Sequence, residues 1–235
     1  MRTVVLHYHL FKNAGTSIDR ILQKNFGDKW VTREFAANGG DNSAEVAEWI
    51  ASTPEAIAYS SHTMLGPVPE VAGVEIIPVL LLRNPIDRIK SAYRFERKQE
   101  ADTWGAQLAK EHDLEGYVRA RLARPGDRQC RNFQTDRLAR MCPGDGPELE
   151  RALGALEFLK THGVLGRVEA FDDAMQRLSN CLKHRYPDFK WESTRANVTE
   201  KSKAHNDAVE FDEELARNNS EDLILWNSLS PEMSR

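Results

Sequence analysis

The chain has 235 residues, of which 40% are hydrophobic and 29% charged, enough apolar material for a sizeable core and too much for a disordered segment. Its 32 basic and 36 acidic residues leave a net charge of −4, which excludes a generally basic surface for nucleic acid but leaves room for a local basic cleft. No apolar run approaches the ~18 residues that mark a membrane span, and the first residues enter a strand pattern at once, with no signal-peptide pattern ahead of it.

The predicted elements begin with a strand over 3–10, carried by Val4, Val5 and Leu6. A tight turn, Phe11-Lys12-Asn13-Ala14-Gly15, leads into an amphipathic helix over 16–26 with Ile18, Ile21, Leu22 and Phe26 on one face. Strand, glycine-containing turn and helix start together form an anion cradle. Backbone N–H groups and the positive end of the helix dipole face the ligand, Lys12 adds a full charge, and Thr16 and Ser17 add hydroxyls. The common nucleotide loop places its lysine directly after a second glycine. Here the lysine stands three residues before the glycine, so a turn that merely caps a helix explains the segment equally well by itself.

A helix over 43–52 and a strand over 56–61 follow, the strand running into His62. The next strand covers 77–82. Pro78 has no N–H for a ladder, so it is expected at the strand's start. In the segment Arg83-Asn84-Pro85-Ile86-Asp87-Arg88-Ile89-Lys90-Ser91, Asn84 suits an N-cap and Pro85 the first helical position of a helix over 85–99. Arg83 then sits at the carboxyl end of a strand, where open α/β sheets bind ligands. Asp87, Arg88 and Ser91 are spaced to share a helix face, and an arginine with a serine hydroxyl can grip a second phosphate. A surface ion pair is the alternative for Arg83.

Further helices are expected over 113–123, 130–140, 147–161, 170–186, 206–217 and 220–228, with a strand over 163–168. Loops fall at 39–42, 124–127 and 143–147, none long enough to separate domains, and there is no internal repeat. Strands alternating with helices imply an α/β fold, a single domain over 1–235 with a parallel sheet flanked by helices. Cys130, Cys142 and Cys181 have neither metal-ligand spacing nor an even count; reduced thiols are the expectation, and Cys130 with Cys142 would pair only in an exported protein.

Taken together, the 9–17 and 83–93 segments resemble those of the PAPS-dependent sulfotransferases, closest to the branch of carbohydrate (heparan and chondroitin type) enzymes, with an H-x-P-K-T-x-G-T-S loop and an R-x-P-x-x-R-x-x-S-x-Y segment. Phe11 stands where that loop has proline and Asn13 where it has threonine; neither change removes a charge. Weaker likenesses follow in the family's order, at 58–66, at Asn132–Leu138, at 164–172, at Arg195–Lys201 and at Asn219–Trp226, so the resemblance spans nearly the whole chain. It implies a P-loop-like sulfotransferase fold and PAPS (3′-phosphoadenosine 5′-phosphosulfate) as donor, with PAP as product and no metal. Lys12, Asn13, Ala14, Gly15, Thr16 and Ser17 would hold the 5′-phosphosulfate, and Arg83 and Ser91 the 3′-phosphate. Arg195, Thr199 and Lys201 would touch the 3′-phosphate or the adenosine, though a solvated charge run accounts for them as well. The animal carbohydrate enzymes usually carry a membrane anchor, so the expectation here is a cytoplasmic, bacterial protein or a trimmed chain.

Sulfuryl transfer needs a cation beside the bridging oxygen and a base for the acceptor hydroxyl. Lys12 is the candidate for the first. His62, on the sheet edge expected to carry Lys12 and Arg83, is the candidate base, against the alternative of a histidine satisfied by core hydrogen bonds. His9 reads as structural, and His7, His112, His162, His184 and His205 show no constellation. Glu169 could orient a base or bind acceptor, with an ion pair the simpler reading. The stretch 95–146 is expected to shape the acceptor site. A carbohydrate hydroxyl follows from the resemblance alone, and oligomeric state is not legible. Two other classes stay open: an ATP-dependent phosphotransferase, which would need a magnesium-binding carboxylate near the loop, and a PAP-binding protein without catalysis.

Overall fold

The computed structural model describes residues 1–36, 40–193 and 206–229, with the side chains of 206–210 left aside. Its centre is a five-stranded sheet of β1 (Arg2–Tyr8), β2 (Trp30–Thr32), β3 (Ala58–Ser61), β4 (Val74–Leu82) and β5 (Val164–Arg167), in the order β2-β3-β1-β4-β5. Every pairing is parallel, with Leu6 opposite Tyr59 on one side and Pro78 on the other, and Leu80 opposite Leu165. The α/β class and the parallel sheet flanked by helices are therefore as expected.

The helices are α1 (Gly15–Phe26), α2 (Ser43–Ser52), α3 (Pro85–Lys98), α4 (Trp104–Glu111), α5 (Leu114–Ala123), α6 (Phe133–Ala139), α7 (Glu148–His162), α8 (Phe171–Leu182), α9 (Asn206–Asn218) and α10 (Ser220–Asn227). Because both faces of a parallel sheet are covered, alternate strand residues enter two different cores. Val4, Leu6, Tyr8, Leu80 and Leu82 pack with Val46 and Ile50 of α2 and Leu156 and Leu159 of α7. Val5, Ile77, Val79 and Leu81 pack with Ile18 and Leu22 of α1 and Met175 and Leu178 of α8. A third cluster, built on Ile89, Tyr93, Tyr117, Val118 and Leu215, holds α3, α4, α5 and α9 together. Among the described residues no helix is long and apolar enough to cross a membrane.

Four expectations need correction. Pro78 lies in the middle of β4, not at its start; the β5 ladder begins one residue later at Val79, so at Pro78 the strand is paired on the β1 side alone. The helix expected over 170–186 stops at Leu182, where the N–H groups of Arg185 and Tyr186 both turn back to the Leu182 carbonyl. The Tyr186 hydroxyl then donates to Thr3 of β1 at 2.6 Å. The helix expected over 130–140 starts only at Phe133, because Asn132 takes a left-handed conformation at φ 42°. Strand β2 and a separate helix α4 were not expected; three residues are too few to show a period, and α4 is only eight residues long.

All three cysteines are free. Cys130 is buried in the third cluster, which pushes its thiol up to about 12, while Cys142 packs against the α2/α7 core.

Candidate functional site

The site lies at the carboxyl ends of β1, β3, β4 and β5, where the chain leaves the sheet into loops. After β1 the backbone bends through Leu10–Ala14. The Asn13 N–H donates to the Leu10 carbonyl at 3.2 Å, and Lys12 and Ala14 adopt left-handed conformations at φ 65° and 61°. Such conformations strain a non-glycine residue by about 1–3 kcal/mol each. They leave the N–H groups of Ala14, Gly15 and Thr16 without a partner among the described residues, at the start of the 12-residue helix α1. Gly15 itself is needed for a different reason: a Cβ there would overlap the ring of His9.

A cavity of about 730 Å³ opens over this loop. Lys12, Ala14, Gly15, Thr16, Ser17, Arg83, Ser91 and His62 all line it, together with Phe11, Glu34 and Phe95. Arg83 stands one residue past β4 and donates to the Lys12 carbonyl at 3.1 Å, and Asn84 caps α3 by accepting the N–H groups of Ile86 and Asp87. Lys12 places its ammonium 4.4 Å from the centre of the Phe95 ring. Burial, then Arg83 and Arg94, pull the Lys12 ammonium below its ordinary value. Arg83 is likewise lowered, by burial first and also by Arg94, against the opposing pull of Asp87 and Glu169. The cavity wall thus gathers positive charge that an anion would relieve.

Some expected groups lie elsewhere. Asn13 does not line the cavity; its carboxamide is buried and donates to the Leu81 carbonyl at 2.8 Å and to Gln134 at 2.7 Å. Arg88 does not share a face with Ser91 but turns fully inward, its guanidinium 4.4 Å from the Phe133 ring and bonded to the Gln129 carbonyl. Glu169 accepts the Asn84 N–H at 2.9 Å and the Trp226 indole at 3.1 Å, tying the turn after β5 to the start of α3 and to α10 rather than forming a cavity wall. Arg195, Thr199 and Lys201 lie outside the described residues.

The histidines form a constellation that the sequence did not announce. His7 and His9 sit two residues apart at the end of β1 and therefore face α1, where Asp19 receives both: His7 Nδ1 lies 2.8 Å from one carboxylate oxygen and His9 Nδ1 2.8 Å from the other. Burial holds His7 below the ordinary imidazole value. For Asp19, burial pushes upward, but the bonds from His7 and His9 outweigh it and hold the carboxyl well below the usual range. The His9 ring then lies against His62, tilted by 33° with centroids 3.8 Å apart.

His62 is half-exposed. Glu34 accepts its backbone N–H at 3.2 Å, its Nδ1 at 2.7 Å and the Thr63 hydroxyl at 2.8 Å. Burial pushes the Glu34 carboxyl up, but these bonds prevail and keep it ionised. With Nδ1 donating to Glu34, the remaining nitrogen, Nε2, is the lone-pair acceptor. The i, i+2 spacing of His7 and His9 was the available signal for the Asp19 clamp; nothing local in the sequence marks Glu34.

Behind the site, Gln134 ties the two cationic segments together. Its Oε1 accepts from Asn13 and from the Arg83 N–H at 2.9 Å, and its Nε2 donates to the Arg83 carbonyl at 2.9 Å. Asp222 of α10 accepts the Gln134 and Thr135 N–H groups at 3.1 and 2.7 Å, capping α6 from a distance. The 132–138 and 219–226 segments therefore act as a brace behind the loop.

No family model matches the chain, and no solved structure matches it. A protein of Archaeoglobus fulgidus described as "Uncharacterized protein" is 38% identical, over 97% of this chain and 96% of its own length. An identity of that level over essentially both full lengths places the chain in one family with this archaeal protein.

Proposed function

We propose that the protein is a PAPS-dependent sulfotransferase, moving a sulfuryl group from PAPS to an acceptor hydroxyl on a P-loop-like sulfotransferase fold. The observation that carries this reading is that Lys12, Gly15–Ser17, Arg83, Ser91 and His62 line one 730 Å³ cavity. A donor with anionic groups at both ends of an adenosine suits a cavity with two cationic grips, one from the β1 loop and one from the β4 end. The unpartnered N–H groups of Ala14, Gly15 and Thr16 fit an oxyanion, and the lowered pKa of Lys12 and Arg83 fits a wall that awaits negative charge.

In this reading the donor supplies the activated sulfuryl group. The acceptor oxygen forms a new bond to sulfur as the bond from sulfur to the bridging phosphate oxygen breaks. Lys12 stabilises the charge that develops on that bridging oxygen, and PAP departs. The acceptor hydroxyl's proton passes to Nε2 of His62, whose imidazolium is then stabilised by the Glu34 carboxylate. The carboxylate lining the cavity among the described residues is Glu34, already bonded to His62 and Thr63, which favours this reading over a phosphotransferase that needs a carboxylate free for magnesium.

The test is a titration calorimetry comparison of PAP with ATP and magnesium, followed by a screen of acceptor pools, glycans included, with sulfur-labelled PAPS. Tight PAP binding with label transferred supports the proposal. Preference for ATP and magnesium would replace it with the phosphotransferase, and PAP binding without transfer to any pool would leave a nucleotide-binding protein.

A further inference from the structure

A second cavity of about 310 Å³ adjoins the first, and His9, Phe11 and His62 line both. Its far wall is made by Glu96, Arg121, Gln129, Phe133 and Arg137, all from the 95–146 stretch. The charges there are unevenly settled. Glu96 is fully engaged, accepting from Arg121 at 2.9 and 2.8 Å and from the Tyr117 hydroxyl at 2.6 Å. Arg121 is also paired with Asp127 at 2.8 Å. Arg137, by contrast, makes no hydrogen bond among the described residues. Its guanidinium lies 5.1 Å from the Phe133 ring, and its Nε is 4.0 Å from Asp136. That carboxylate already accepts from Arg140 at 3.2 and 2.9 Å. A partly buried guanidinium left without an acceptor is costly, unless a ligand oxyanion completes it.

We propose that this smaller cavity is the acceptor subsite, and that it selects a ring-sized hydroxy acid whose carboxylate is gripped by Arg137. The inference rests on reading the larger cavity as the donor site. An arginine fork matches a carboxylate with two parallel bonds, which a neutral acceptor cannot return. The volume suits one ring, and the shared His62 sets the acceptor's hydroxyl between the base and the donor. A sugar acid and an aromatic hydroxy acid present the same chemistry, and the test separates them.

Binding is measured by calorimetry on the full chain with two matched pairs: methyl glucuronoside against methyl glucoside, and 4-hydroxyphenylacetate against its amide. At least one acid should bind about tenfold or more tighter than its neutral twin, the size expected of a charge-assisted bond. The pair that shows the preference identifies the source. In Arg137→Gln the preference should vanish, while Arg137→Lys should keep part of it. Equal binding of acid and twin in both pairs, no binding of any probe, or an undiminished preference in Arg137→Gln would overturn the proposal. The wild-type comparison needs no variant to fold. PAP is titrated separately: if PAP fails to bind while the acid preference holds, the donor assignment falls and the carboxylate selectivity of the cavity stands.

Discussion

Asn13 and Gln134, 121 residues apart in the chain, meet through a buried 2.7 Å hydrogen bond that couples the loop after β1 to the brace behind it. The same carboxamide holds both the N–H and the carbonyl of Arg83. One side chain therefore sets the distance between the two cationic segments of the cavity.

Gln134→Ala should be costly for that reason. It leaves the part-buried N–H and carbonyl of Arg83 without partners and takes one of the two bonds of the Asn13 amide, which keeps the Leu81 carbonyl, at about 1–3 kcal/mol for each unsatisfied group. A loss of roughly 3 kcal/mol in urea unfolding is expected, with weaker PAP binding measured well below the unfolding midpoint. Unchanged PAP affinity would show that the two segments keep their spacing without it.

Removing charge from the cavity should weaken anion binding with little effect on stability. Lys12→Ala and Arg83→Ala are each expected to reduce PAP affinity about tenfold or more, the scale of a charge-assisted hydrogen bond. Lys12→Ala should also abolish sulfuryl transfer at saturating donor. Wild-type affinity in both variants would remove them from the anion grip.

Glu34 and His62 should separate binding from proton transfer. His62→Ala is expected to retain PAP binding and lose transfer. Glu34→Gln keeps a hydrogen bond to Nδ1 but no longer stabilises the imidazolium that forms on proton transfer, so the maximal rate should fall by about 10²-fold, within the range of general-base contributions. A maximal rate identical to wild type would mean that Glu34 only shapes the β3 loop.

Gly15→Ala tests the packing of His9. The added methyl overlaps the imidazole ring, which Asp19 holds by a 2.8 Å bond and which lies against His62. Overpacking of this kind costs about 1–3 kcal/mol. A lower melting temperature and a loss of transfer greater than the loss of PAP affinity are expected; a fully stable, active variant would place the His9 ring elsewhere.

Acid should destabilise the fold in two stages. Burial holds His7 below its ordinary value of 6.5, so the unfolded chain takes up a proton there that the folded chain refuses. Stability from this group is complete above about pH 6.5 and falls as pH drops below it. Asp19 is also lowered in the folded state, so its contribution is present above the ordinary carboxylate range and is lost as pH falls through that range and below. Urea midpoints measured from pH 8 to pH 3 should decline from about pH 6.5 downwards, and His7→Gln should remove the first part of that decline. A flat response between pH 7 and pH 5 in the wild type would contradict the assignment of His7 as buried and neutral.

The turn at 11–15 and the Arg83–Pro85 boundary were legible because each is local. A short apolar run, a capping asparagine and a proline at the first helical position announce themselves within a few residues, and the unbroken apolar stretches of β1 and β4 already imply a sheet covered on both faces. What tertiary structure alone decided is which side chains face which ligand. Arg88 and Ser91 have helical spacing suited to one face, yet the packing of α3 against Phe133 draws Arg88 into the interior and leaves Ser91 on the cavity. Asn13 has a place in the loop motif but spends its carboxamide on Gln134, and Glu34 reaches His62 from a loop that no periodicity describes. Local sequence sets backbone conformation through sterics and hydrogen bonding between near neighbours; the orientation of a polar side chain depends on partners brought close only when the sheet and its helices close around it.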